Sequence, residues 1–185
     1  MKLYTTMPSP IGELLLAGTE PDEATAGLLL MALSMTRQRA AVTPGPDWRQ
    51  AREPFADVIR QLGAYFDGEL RTFDLTLRTR GSAFQERVWL ALEAIPYGTT
   101  ISYGQLAARI GAGPADARAV GTAVGANPLL LLRPCHRVIG ADGALRGYAA
   151  GLDRKEFLLR LEGTLPPALE LAAPPSDRRA RPVRP

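Results

Sequence analysis

The chain has 185 residues, 46% of them apolar and 22% charged, with a formal net charge of +3. That composition describes an ordinary globular protein with room for one large domain or two small ones. A single cysteine excludes an internal disulfide, and one cysteine with one histidine leaves too few ligands for a structural zinc site.

The opening residues Met1 to Thr6 run straight into Pro8-Ser9-Pro10 without the apolar segment of a signal peptide. Ala24 to Met35 is too short and interrupted to span a bilayer, so a cytoplasmic protein with no membrane partner is expected. Tyr4 to Met7, the turn Pro8 to Gly12, and Glu13 to Ala17 read as a β-hairpin. The apolar stretch Gly27 to Leu33 fits strand or helix equally. From Glu53 to Phe66, Phe55, Val58, Ile59, Leu62, Tyr65 and Phe66 follow helical spacing. Phe73, Leu75 and Leu77 then alternate with polar residues like a half-buried strand.

A change of character comes near Gly81. Ser82-Ala83-Phe84-Gln85 and Ser102-Tyr103-Gly104-Gln105 are capping-box patterns, and each predicts a helix start. Gly111-Ala112-Gly113 breaks the second helix, and Pro114 suits the first turn of another running to about Gly125. Two short helices with a Gly-containing joint predict a helix-turn-helix. On its second helix Arg118 shares a face with Gly121, Thr122 and Gly125. Glycines cost a helix roughly 1 kcal/mol each, so something approaches this backbone closely: either a neighbouring helix or a nucleic-acid groove. The apolar run Leu129 to Leu132 predicts a buried strand. Asp153, with Glu156 three residues on, predicts a helix cap, and that helix stops at Gly163. Pro166-Pro167, Pro174-Pro175 and Arg178-Arg179-Ala180-Arg181 predict a disordered tail. The expected organisation is thus residues 1–80, 81–164 and a tail 165–185. Net charge runs −1, +2 and +2 across the three, a weak lean toward a polyanionic partner.

The only cysteine and the only histidine, Cys135 and His136, are neighbours. A thiol attacks as thiolate, and histidine is the usual base that generates it. Adjacent side chains on an extended segment diverge, so a turn at Pro134 or a bridging water must connect them. Glu162, at the end of the last helix, is the candidate to orient His136. A carboxylate there faces the negative end of the helix dipole.

Several blocks fall in order around these residues: Phe84 to Trp89, Ile95 to Thr100, Ser102-Tyr103, Ala117 to Gly121, Asn127-Pro128, Pro134 to Ile139, Gly147-Tyr148, Arg154 to Glu156 and Leu161 to Gly163. Together they closely resemble the methylated-DNA–protein-cysteine methyltransferases, or O6-alkylguanine-DNA alkyltransferases. The match is dense from about Gly81 to Gly163 and weaker upstream.

The resemblance implies a two-lobed α/β (α+β) fold: an N-terminal ribonuclease-H-like domain and a mainly helical, winged-helix-like C-terminal domain carrying the cysteine. It implies repair of O6-alkylguanine, and of O4-alkylthymine, flipped from double-stranded DNA, by one irreversible transfer per molecule. Cys135 would accept the alkyl group, activated through a water by His136, which Glu162 orients. Tyr103 would assist departure of the guanine. Arg118 would fill the gap left by the flipped nucleotide, with Ser102, Ala119, Gly121 and Thr122 along the DNA. Asn127 would brace the site, Val138 would read the base edge, and Tyr148 and Ala149 would close the pocket. No cofactor or metal is implied, and a monomer is expected. Arg133, where an apolar residue is usual, would place a charge beside the thiol or meet a phosphate. Ala149 and Ala150 depart from the pattern in the pocket loop.

Overall fold

The computed structural model describes residues 1–20, 27–35, 38 and 41–166. In β1 (Lys2–Met7) Leu3, Thr5 and Met7 are buried while Lys2, Tyr4 and Thr6 are less so, the period of two that marks a strand with one wet face. A turn closed by Gly12 N–H to Ser9 O at 2.9 Å returns the chain into β2 (Leu14–Thr19). The two strands pair antiparallel from Lys2↔Thr19 to Met7↔Leu14. The ambiguous stretch becomes β3 (Leu29–Met35), antiparallel to β2, and a short β4 (Arg49–Gln50) joins β1 in parallel. The order is β3-β2-β1-β4.

Glu53–Phe55 forms a 3-10 turn, where the missing N–H of Pro54 costs nothing, and leads into α1 (Ala56–Phe66). Phe55, Val58, Leu62 and Tyr65 join Leu3, Leu14, Leu16, Leu30 and Leu33 in one core. Each such side chain contributes about 1.5–3 kcal/mol on burial.

The expected strand over Phe73 to Leu77 does not form. Only a single parallel bridge, Leu30↔Leu77, remains. The Gln61 side chain takes the place of a strand neighbour: it donates to Asp74 O at 2.9 Å and accepts from Asp74 N–H at 2.8 Å.

The C-terminal lobe holds α2 (Ala83–Glu93), β5 (Ile101–Ser102), α3 (Tyr103–Arg109), α4 (Ala117–Gly125), β6 (Val138–Ile139) and α5 (Leu152–Leu161). Both capping boxes form, at Ser82/Gln85 and Ser102/Gln105. Pro114–Asp116 is a 3-10 turn leading into α4, so α3 and α4 make the helix-turn-helix. Trp89 on α2 ties to α4 by donating Nε1–H to Ala123 O at 2.8 Å. β5 and β6 pair in parallel beside them. Asp153 is not the cap of α5. Gly151, at φ +100°, holds that position, and Asp153 lies in the first turn, where its charge suits the dipole.

The run Leu129 to Leu132 is buried but is a turn, not a strand. Leu131 sits at φ +69°, and Arg133 N–H donates back to Leu129 O at 3.0 Å. Only Leu129 bridges the sheet, in parallel to Leu33. Residues 76–78 and 128–130 therefore cover the outer edge of β3, which joins the lobes and leaves less unpaired edge. No helix among the described residues is long and apolar enough to cross a membrane. The expected tail lies, from residue 167, outside the described residues.

Candidate active site

A buried turn needs its backbone groups paired, and Asn127 does this for the leucine turn. Its Nδ2 donates to Leu129 O at 3.2 Å and Arg133 O at 2.8 Å, and its Oδ1 accepts from Leu129 N–H at 3.0 Å. So braced, the chain passes Pro134 into a 3-10 turn, Cys135–Arg137. Side chains one step apart on such a turn diverge by about 120°. Cys135 and His136 accordingly diverge on a turn and not on the extended segment expected.

His136 is fully buried, and its Nε2 lies 2.8 Å from Glu162 Oε1. Glu162 caps α5 and gathers more than the histidine. Arg137 grips it with Nε to Oε2 at 2.8 Å and Nη2 to Oε1 at 2.9 Å, and Tyr65 OH donates to Oε1 at 2.8 Å. Gly98 N–H reaches Oε2 at 3.3 Å. Arg137 also donates to Ile95 O at 2.5 Å.

Burial alone would raise the Glu162 pKa, but the hydrogen bonds and charges of His136 and Arg137 overcome it and hold the carboxyl at about 2. Burial pushes His136 the other way, below its usual value, against the pull of Glu162. At neutral pH the pair is therefore carboxylate and neutral imidazole. An ionised carboxylate only accepts, so Nε2 carries the proton and Nδ1 carries the lone pair. Nδ1 has no hydrogen-bond partner among the described residues. The arrangement presents a buried base with its accepting nitrogen turned away from Glu162.

Burial raises the Cys135 thiol, opposed by a hydrogen bond from the Asn127 side chain and by the charge of Lys155. At rest the sulfur is a thiol that needs a base. Lys155 is fully buried, with Nζ donating to Val138 O at 2.6 Å, Arg146 O at 2.9 Å and Gly147 O at 3.4 Å. Burial brings its ammonium down to about 8, with the charge of Cys135 acting upward. Arg133 does not act on the thiol as expected. Its Nε pairs with Glu93 at 2.7 Å, its Nη1 donates to Thr79 at 2.8 Å, and its guanidinium lies over the Trp89 ring. Glu86 is a further partner at 3.7 Å. The charge is spent on α2.

An open pocket of about 590 Å³ lies between α4 and the loop at 147–149. Tyr103, Gly121, Thr122, Val124, Gly125, Gly147, Tyr148 and Ala149 line it. Tyr103 OH donates to Arg146 O at 3.0 Å across it. Burial and then the negative charge of Cys135 raise both Tyr103 and Tyr148, which places their hydroxyls within electrostatic reach of the sulfur. Tyr148 OH, like His136 Nδ1, has no partner among the described residues. The Val138 carbonyl already accepts from Lys155 but keeps a second lone pair. Ser102 is half-buried and accepts the Gln105 N–H at 3.1 Å as a helix cap.

Arg118, Ala119, Thr122 and Gly125 are exposed on α4. A Cβ at Gly125 would meet nothing within 4 Å, and one at Gly121 only the Tyr103 ring at 3.8 Å. Close packing against another helix, one of the two reasons for those glycines, is thereby removed. The face is bare and turned outward.

Tyr65, Gly98, Arg137 and Lys155 complete the site, yet sequence reasoning assigned them no role. Arg137 and Lys155 lay inside quoted blocks, where buried positions next to apolar ones were the available signal. Nothing local links Tyr65 to Glu162 across 97 residues. Among the described residues no three His, Cys, Asp or Glu side chains group closely enough to hold a metal ion.

Known proteins resemble the chain over both lobes. Residues 2–79 match the model for the 6-O-methylguanine DNA methyltransferase ribonuclease-like domain, and residues 83–164 match its DNA-binding domain. A methylated-DNA–protein-cysteine methyltransferase of Mycolicibacterium paratuberculosis is 52% identical over 89% of this chain and 94% of its own. One from Methanosarcina acetivorans is 49% identical over 87% and 98%. A Mycobacterium tuberculosis OGT solved in complex with DNA superposes with a TM-score of 0.77 at 49% identity, covering 86% of this chain and 92% of that one.

Proposed function

The chain belongs to the methylated-DNA–protein-cysteine methyltransferase family, and from that premise we propose how its own residues carry out the repair of alkylated DNA. The observation that carries the reading is the fixed tautomer of His136: its Nε2–H is committed to an ionised Glu162, and its Nδ1 lone pair is unpaired beside the cysteine turn.

A base inside a duplex is out of reach of a buried thiol, so the damaged nucleotide is flipped into the pocket beside Tyr103 and Tyr148. Arg118, exposed at the start of α4, fills the stack it leaves. Ala119, Gly121 and Thr122 lie along the backbone groove, with Ser102 at the head of α3. The Cys135 proton passes to His136 Nδ1 through a bridging water, and Asn127 and Lys155 favour the resulting thiolate. Sulfur then attacks the alkyl carbon. The S–C bond forms as the C–O6 bond breaks, and its electron pair withdraws into the guanine ring. Tyr103 leaves Arg146 O and gives its proton to the departing ring, and the His136 imidazolium returns a proton to the tyrosinate, so that guanine leaves neutral and no charge remains on the protein. The Val138 carbonyl and the Tyr148-Ala149 main chain hold the base edge. O4-alkylthymine offers the same bond to the same sulfur.

The product is a thioether, and the chain contains no second cysteine to reverse it. One turnover per molecule follows, with no cofactor. We place the reaction in the cytoplasm, with lobes at 1–80 and 81–164. The test is intact mass and peptide mapping after incubation with an O6-methylguanine duplex. One methyl replaces one hydrogen on Cys135 in the wild type and none is gained in Cys135→Ala. Tight binding with an unchanged wild-type mass would instead identify a lesion sensor.

A further inference from the structure

The carboxylate behind the histidine is shared between the two lobes. Oε1 of Glu162 accepts three donors: His136 Nε2–H at 2.8 Å, Arg137 Nη2 at 2.9 Å and Tyr65 OH at 2.8 Å. The first two come from the cysteine turn itself. Tyr65 comes from α1 in the N-terminal lobe. It is 0% exposed, and Phe66, Phe73 and Tyr97 surround its ring at centroid distances of 5.4, 5.4 and 6.1 Å. The hydroxyl therefore has little freedom to turn elsewhere.

Packing alone does not account for this contact. A buried phenol needs an acceptor, and a backbone carbonyl would serve, as Leu161 O serves the neighbouring Tyr97 at 3.1 Å. Tyr65 instead spends its proton on the one oxygen that holds the histidine. Donors to one carboxylate oxygen share its charge, and each lowers the proton affinity left for the others. We infer that Tyr65 is a positioning residue of the transfer reaction: its hydroxyl draws on the charge of Glu162 so that His136 stays neutral, with Nδ1 free to take the thiol proton. The inference rests on Cys135 being the acceptor. It makes the N-terminal lobe a contributor to the chemistry as well as a scaffold.

Other charges face the pair and must be held constant in a test. Arg137 and Lys155 oppose protonation of His136, and Glu162 favours it. Tyr148 and Tyr97 feel Glu162, and Arg71 and Arg137 lie against the Tyr97 ring. The sulfur of Cys135 lies on the Lys155 side. Tyr65→Phe leaves all of these in place and keeps the ring packing.

His136 is the only histidine, so its imidazole titration in a tag-free protein can be followed by NMR without assignment. Loss of the phenol donor returns charge to Oε1 and stabilises the imidazolium. In Tyr65→Phe the histidine midpoint and the acid limb of the methyl-transfer rate should both move up by roughly one pH unit. A rate lowered by the same factor at every pH, with both midpoints unmoved, would assign Tyr65 to packing alone and overturn the inference. Should the variant fail to fold, protein carrying 3-fluorotyrosine at position 65 alone reverses the sign. The more acidic phenol donates more strongly and the histidine midpoint moves down, whereas an unmoved midpoint overturns the inference. A wild type that gains no methyl sinks the alkyl-transfer reading separately, since the titration does not depend on DNA.

Discussion

The two sides of the cysteine turn are built on opposite principles. Behind it, Glu162 is 5% exposed and draws donors from α1, the 98 loop and the cysteine turn. In front, the pocket is walled by half-buried tyrosines, glycines and an exposed stretch of α4. The back fixes a proton position, which demands that every polar group be satisfied. The front must admit a large planar base and a DNA backbone, so it is left bare. Substitutions behind the turn should therefore cost stability and chemistry together, while those on the exposed face of α4 should act mainly on the encounter with DNA.

The largest effect is expected at Glu162→Gln. Removing the charge leaves the Arg137 guanidinium buried without its counterion, at a cost of about 3–5 kcal/mol at pH 7 by urea unfolding. Folding lowers the Glu162 pKa from 4.5 to about 2. Its contribution is thus complete above the unfolded value and is lost as pH falls through the folded one. The gap between wild type and variant should close over that interval. A gap that stays constant into acid would place the loss elsewhere than in the carboxylate.

Asn127→Ala comes next. It strips the partner from Leu129 N–H, while Leu129 O keeps the Arg133 N–H at 3.0 Å and Arg133 O keeps the Cys135 N–H at 2.7 Å. One buried backbone group left unpaired costs about 1–3 kcal/mol. Methyl transfer should slow as well, because the Asn127 side chain also favours the Cys135 thiolate. Unfolding curves and single-turnover rates check the two losses. Loss of stability with an unaltered rate would confine Asn127 to bracing the turn.

The same division decided what could be read from sequence. Periodicity identified the hairpin and α1, because those elements bury alternate or helically spaced side chains and present the rest to water. It failed at Leu129 to Leu132, where continuous burial looks the same in a strand and in a turn held by a side chain. It failed likewise at Phe73 to Leu77, because Gln61 substitutes for a strand that the alternation seemed to promise. Glu162 was suspected only as a charge at the wrong end of a helix dipole. The phenol that shares it sits 97 residues away on an otherwise apolar helix face, where a tyrosine reads as core. Arg133 misled because it lies two residues from the cysteine in sequence while its spatial neighbours are Glu93, Thr79 and Trp89.

The smallest expected effect tests the front and carries the opposite sign. Gly125 ends α4, is exposed, and has space for a methyl group. Replacing glycine in a helix favours folding, here by about 0.5–1 kcal/mol, so Gly125→Ala should melt slightly higher than wild type. If that bare face exists for a DNA backbone to approach, the same methyl group should slow repair of an O6-methylguanine duplex several-fold. Reaction with a free alkylated guanine base, which brings no DNA backbone to the outer side of α4, should slow less. Arg118→Ala should split the two substrates in the same direction without moving stability. Equal slowing on duplex and free base by either change would mean that α4 acts only as a wall of the pocket, and its exposed face would have no part in the encounter with DNA.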